Sequence, residues 1–101
     1  MPGKADFERL LREGKRRSFD GFTFYLERRD DGGPRLGMLV SKKHGSRATD
    51  RNRLKRCIRE AFRLEQGALG SLDVLVRPPY GARPSPRMLL RLRELLGKLG
   101  Q

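Results

Sequence analysis

The spacing of apolar residues along this chain changes period several times, and each change marks an element. Phe7, Leu10 and Leu11 recur at helical spacing between Asp6 and Glu13, with Asp6 placed to cap the helix and Gly14 to stop it. Lys15, Arg16 and Arg17 read as a basic connector. From Phe22 to Glu27 the period falls to two, with Phe22, Phe24 and Leu26 on one face and Thr23, Tyr25 and Glu27 on the other. Asp30-Asp31-Gly32-Gly33-Pro34 has the composition of a turn. Leu36 to Ser41 reads as a returning strand, so the two strands are expected to form a hairpin. Lys42 to Thr49 is a polar, basic loop. Thr49 or Asp50 can cap a long helix that runs to about Gln66, where Gly67 and Gly70 break it. Leu72 to Val76 is a third, short apolar strand, and Pro78-Pro79-Tyr80-Gly81 is a loop. Ser85 caps a last helix with Pro86 at its first position. Met88, Leu89, Leu92, Leu95, Leu96 and Leu99 line its apolar side.

The order α–β–β–α–β–α predicts an α+β fold, a small α/β sandwich with helices packed on one face of a mixed sheet. The strand–helix–strand unit from Leu36 to Val76 permits a parallel pair, for which a right-handed crossover is the default. No internal repeat, low-complexity run or linker divides residues 1–101, so they read as one domain.

Charge sharpens this picture. The chain carries 24 Lys and Arg against 12 Asp and Glu, a net charge of +12, with a pI near 11.2. Such an excess points to nucleic acid or an anionic membrane surface as partner. No apolar run approaches the roughly 18 residues of a membrane span. The opening MPGKADFERLL has no apolar stretch of a secretory signal, so a cytoplasmic location is expected. Nine of the cations fall between Val40 and Arg63, where only Asp50 and Glu60 oppose them. On a helix turning about 100° per residue, Asn52, Lys55, Arg56, Arg59 and Arg63 share one arc of about 100°. Leu54, Ile58, Ala61 and Phe62 lie opposite. Solvated helix faces usually mix signs, because like charges at i,i+4 repel. Lys55–Arg59 and Arg59–Arg63 are like pairs, so this face is expected to meet a polyanion.

Catalytic chemistry is scarce. His44 and Cys57 are the sole histidine and cysteine. Cys57 lies at the edge of the apolar arc and reads as a core-boundary residue. His44 sits among Lys42, Lys43 and Arg47, where a loop contact to phosphate or base suits it better than a metal. The carboxylates are scattered, and no cluster resembles a two-metal nuclease site. No metal or cofactor is expected on the protein. From residues alone this is an RNA- or DNA-binding module without chemistry of its own.

The run VSKKHG followed by DRNRLKRCIREAF resembles the signature of the bacterial ribonuclease P protein component. Asp6-Phe7, Phe22-Thr23-Phe24-Tyr25, Asp73 and Arg77 extend the resemblance over nearly the whole chain. It implies a protein subunit of a ribozyme, whose RNA uses Mg²⁺ to remove the 5′ leader of precursor tRNA. By position it implicates Arg51, Asn52, Arg53, Lys55, Arg56, Arg59 and Arg63 in holding the catalytic RNA. It implicates Phe7, Leu11, Tyr25, Lys42 and Lys43 in a leader cleft between the first helix and the outer sheet face. Leu11 stands where a second aromatic is common. Tyr25 alternates away from the Phe22/Phe24/Leu26 face, which is expected to leave its ring available for stacking. The resemblance also implies a left-handed βαβ crossover, and no obligate protein partner or membrane.

Two other readings fit composition alone: a ribosomal or general RNA-binding protein, and a DNA-binding module that lays the basic helix in a major groove. Competition between a structured catalytic RNA and duplex DNA at one fixed salt concentration separates them.

Overall fold

In the computed structural model, residues 4–99 are described, apart from the side chains of Lys4 and Asp6. Helix α1 (Lys4–Glu13) leads into strands β1 (Lys15–Phe19), β2 (Phe22–Arg28) and β3 (Arg35–Met38). Helix α2 (Ala48–Glu65), strand β4 (Leu72–Arg77) and helix α3 (Pro86–Leu99) follow, with 3₁₀ turns at Lys42–His44 and Gln66–Ala68. The strands form one mixed sheet in the order β1-β2-β4-β3. The α+β architecture expected from the pattern is therefore present, with one strand more than expected.

The extra strand is β1, over the residues read as a basic connector. Asp20 (φ 52°) and Gly21 (φ 84°) both lie in the left-handed region. An Asp-Gly pair of this kind makes the two-residue turn whose twist suits a hairpin. It pairs Phe19 with Phe22 and runs back to Lys15 opposite Leu26. Charge hides the strand, because β1 is an edge and Lys15 and Arg16 stand exposed on it. Charged edges resist pairing with other chains.

The expected hairpin between the second and third strands does not form. β4 lies between them, antiparallel to β2 and parallel to β3. Its burial explains the placement. Leu72 to Val76 is covered on both faces, as a central strand requires, and its sequence is nearly continuous apolar apart from Asp73. β3 is also shorter than the expected Leu36–Ser41. It ends at Met38, after which Leu39 N–H donates once more to Val76 O at 2.8 Å.

The strand alternation divides the interior in two. Phe22, Phe24, Leu26, Leu36, Val74 and Val76 face α2 and α3, where Leu54, Ile58, Ala61, Leu92, Leu95, Leu96 and Leu99 cover them. Tyr25 and Leu75 face the other way and meet Leu10 of α1, with Phe7 and Leu39 at the margin. Helices thus occupy both faces rather than one. Ser85 caps α3 as expected, its hydroxyl accepting from Met88 N–H at 3.1 Å. α2 starts earlier than expected, with Arg47 at its cap and no side-chain cap bond, so Thr49 and Asp50 fall inside its first turn. It ends at Glu65, and Gln66 opens the following 3₁₀ turn. α1 likewise begins at Lys4, which puts Asp6 within the helix instead of at its cap; Asp6's side chain is outside the described residues.

Candidate nucleic-acid interface

α2 is amphipathic in the way its spacing demands. Leu54, Ile58 and Ala61 are buried against the sheet and α3, while Asn52, Arg53, Arg56 and Arg59 are exposed and Lys55 is half-exposed. Among the described residues, Arg53, Lys55, Arg56 and Arg59 make no ion pair and donate no side-chain hydrogen bond within the protein. Several acids elsewhere are engaged by arginines. Arg9 binds Glu27 at 2.6 Å, Arg93 binds Glu65 at 2.7 Å, and Arg91 binds Glu94 at 2.8 Å and also Asp20. The contrast makes the α2 face a surface of uncompensated positive charge. Each like pair at i,i+4 costs an isolated helix about 0.2–0.5 kcal/mol. A polyanion laid along the face removes that cost.

Two of the implicated cations behave differently. Arg63 is taken up by Glu60, through Nε at 3.1 Å and Nη2 at 2.5 Å. Its hydrogen bond to Glu60 holds the guanidinium's pKa up and the Glu60 carboxyl's down. Arg51 turns away from the exposed face and donates from Nη1 to Gly45 O at 2.9 Å, binding the preceding loop to the helix. The helical wheel gives the reason. Arg51 is seven residues before Ile58, two turns up the same buried row, so its side chain starts on the packed side. The run Arg51-Asn52-Arg53 is legible in the sequence; which of its members faces outward is legible only from this angle.

His44 is likewise withdrawn from solvent, a correction to its expected loop contact with phosphate or base. Its Nδ1 accepts from Ser41 N–H at 3.0 Å, and its Nε2 lies 2.9 Å from Pro78 O. The first bond needs a bare Nδ1 and the second needs Nε2–H, so the pair selects one neutral tautomer. His44 thereby ties the 3₁₀ turn after β3 to the loop after β4. Ser41 caps that turn, its hydroxyl accepting from Lys43 N–H at 3.3 Å, and Lys42 and Lys43 project from it into solvent. Cys57 packs against the core edge as expected, and burial pushes its thiol pKa up.

On the outer sheet face the leader candidates separate. Tyr25 is 8% exposed, packed beneath α1 with Leu10 and Leu75, so its ring is not open for stacking as expected. Alternation gave the correct face, but α1 covers that face at this point. Phe7 is half-buried and lies on the backbone of β3: a Cβ built on Gly37 would come 2.1 Å from the Phe7 ring. Gly37 is the gap that seats the aromatic. Leu11 is 45% exposed on the same helix. Beside this helix, Asp73 is fully buried and accepts from Arg35 at 2.6 and 2.8 Å and from Arg29 at 2.8 Å. Burial alone would raise its pKa, but the hydrogen bond and charge of Arg35, with those of Arg29, outweigh burial and hold the carboxyl below the usual carboxylate range. Among the described residues no three His, Cys, Asp or Glu side chains gather to hold a metal, and no helix is long and apolar enough to cross a membrane.

A sequence profile of the family described as Ribonuclease P matches residues 1–100. The chain belongs to the ribonuclease P protein family. It is 39% identical over 100 residues to the ribonuclease P protein component of Nitrosococcus oceani, covering 96% of this chain and 84% of that one. It superposes on the RNase P protein from Thermotoga maritima with a TM-score of 0.76 at 28% identity, covering 97% of this chain and 94% of that one. The corresponding values for the RNase P protein of Staphylococcus aureus are 0.72, 28%, 98% and 89%. The family's role is tRNA 5′ processing, and its protein component is part of an endoribonuclease holoenzyme with an RNA partner.

Proposed function

We propose that this polypeptide holds two RNAs in register, one on each side of the molecule, and performs no cleavage itself. The exposed face of α2 grips the catalytic RNA through Arg53, Lys55, Arg56 and Arg59, with Asn52 among them. The observation that carries this reading is that these cations stand on one exposed helix face and lack internal acidic partners. The groove between α1 and the outer sheet face takes the 5′ leader of precursor tRNA. Leu11 and the edge of Phe7 offer apolar surface to bases, and Lys42 and Lys43 offer charge to the backbone. Tyr25 supports the floor of that groove. Mg²⁺ belongs to the RNA, and the protein lowers the concentration needed by placing cations between two polyanions. The setting is the cytoplasm.

Reconstitution tests this. Protein added to a bacterial ribonuclease P RNA at low Mg²⁺ should support cleavage of precursor tRNA where RNA alone is slow. The advantage should shrink as monovalent salt screens the charges. Protein alone at ample Mg²⁺ should show nothing above background. Cleavage by protein alone, abolished by replacing one of its own acids, overturns the reading.

A further inference from the structure

A cleft of about 510 Å³ opens where the turn after β3 and the start of α2 meet the loop between β4 and α3. Arg53, from α2, and Arg83, from the loop before α3, both line it, together with His44 and Gly81. Asp50 is an acid in its lining, set against those two guanidiniums. Next to Gly81, Tyr80 is 60% exposed, although its ring is large and partly apolar. It leans on the His44 imidazole, with ring centroids 4.7 Å apart and planes at 55°, and Lys43 Nζ is 5.8 Å from its centroid. The loop is not loosely hung. His44 Nε2 is bound to Pro78 O, so the loop bearing Tyr80 and Arg83 is tied to the turn that leads into α2.

An exposed aromatic ring beside cations is the combination that single-stranded RNA uses: a base stacks on the ring and the phosphates lie against the charges. We propose that this region receives one unpaired nucleotide of the catalytic RNA, its phosphate held in the cleft by Arg53 and Arg83 and its base stacked on Tyr80 at the cleft's margin. Lys43 rides on an exposed, flexible stem and swings off the ring as the base arrives. The cleft continues the α2 face around its N-terminal end, so the inference rests on the reading that α2 holds the catalytic RNA. It adds a base-contacting element to a surface otherwise read as phosphate-binding.

The test is binding to a bacterial ribonuclease P RNA, measured for the whole chain at several salt concentrations. Tyr80→Leu keeps bulk over His44 and removes the aromatic face. It should weaken binding about fivefold or more without changing the salt slope. Tyr80→Phe should bind within about twofold of the unaltered protein, since the stacking face remains. Arg83→Ala should weaken binding and reduce the log–log salt slope by about one unit or less. Chemical probing should show one unpaired nucleotide protected by the unaltered protein and freed by Tyr80→Leu. Arg59→Ala serves as the reference for α2. If Arg59→Ala weakens binding and Tyr80→Leu does not, the cleft assignment fails and the α2 reading stands. If Tyr80→Phe loses as much as Tyr80→Leu, the hydroxyl matters and stacking is refuted. If the unaltered protein prefers duplex DNA to this RNA, both readings fall together.

Discussion

The two faces of the sheet differ in how completely they are covered. The inner face meets two helices and forms a continuous apolar core from Phe22 to Leu99. Among the described residues the outer face meets only α1, over a small cluster of Leu10, Tyr25 and Leu75, and a charged row runs beside it from Glu27 through Asp73 to Arg35. Adjacent residues of one strand therefore live in different settings. Phe24 is fully buried under α2 and α3, and Tyr25 is buried under a single short helix whose Leu11 stays in solvent. One face carries the fold and the other is left partly uncovered.

The largest effect expected is at the inner face. Phe24→Ala should cost about 3–5 kcal/mol by urea denaturation. Tyr25→Ala, one residue away, should cost less, because its cluster is smaller and can collapse under α1. Equal losses would erase the distinction between the faces. The charged row should come next. Asp73→Asn should cost about 2 kcal/mol, less than the roughly 3–5 of a wholly buried pair, because Arg29 and Arg35 both reach solvent. Its pH dependence has a definite sign. The folded carboxyl titrates below its unfolded value of about 3.9, so the stabilisation is fully present above that value and fades as pH falls through the folded one. The difference between the unaltered protein and Asp73→Asn should therefore be constant near neutrality and shrink in acid; a difference that grows in acid refutes the ion-pair account.

Gly37→Ala tests the outer cover itself. The new methyl meets the Phe7 ring, so α1 must lift, at about 1–3 kcal/mol. Amide exchange should quicken in α1 and remain slow in α2 and α3. Uniform quickening would mean that the outer cover supports the whole fold. The smallest effect on stability belongs to Arg59→Ala, which touches neither face of the sheet. Its melting temperature should match or slightly exceed that of the unaltered protein, since a like-charge pair is relieved, while its salt slope for the catalytic RNA falls by about one unit or less. Unfolding by this substitution would place Arg59 in the core.

Periodicity made most of this legible. The alternation in β2, the stripes of α2 and α3, and the Ser85-Pro86 start all appear as the pattern implied. Four features did not. β1 was masked by its charges, although the Asp20-Gly21 pair between Phe19 and Phe22 is a hairpin signal. The position of β4 between β2 and β3 was hidden because strand order is not local; its doubly buried composition was the clue. Tyr25 was assigned to the correct face, but alternation is silent about what lies over a face. In the same way the charge of Arg51 was evident and its inward start was not, until its angle relative to Ile58 is considered.

The central place of β4 has a consequence for synthesis. As the chain leaves the ribosome, β1 and β2 can close their hairpin at once, since a two-residue turn joins them. β3 cannot: its only partner in the sheet is β4, which begins at Leu72. Until that strand emerges, β3 is an orphan, and α2 has made its full run of cations with only part of a surface to rest on. Such non-local pairing is slow to form and leaves edges open meanwhile. A nascent chain stalled before Leu72 should therefore be a hairpin followed by a basic, unanchored helix, able to attract RNA before it has a fold to present it on.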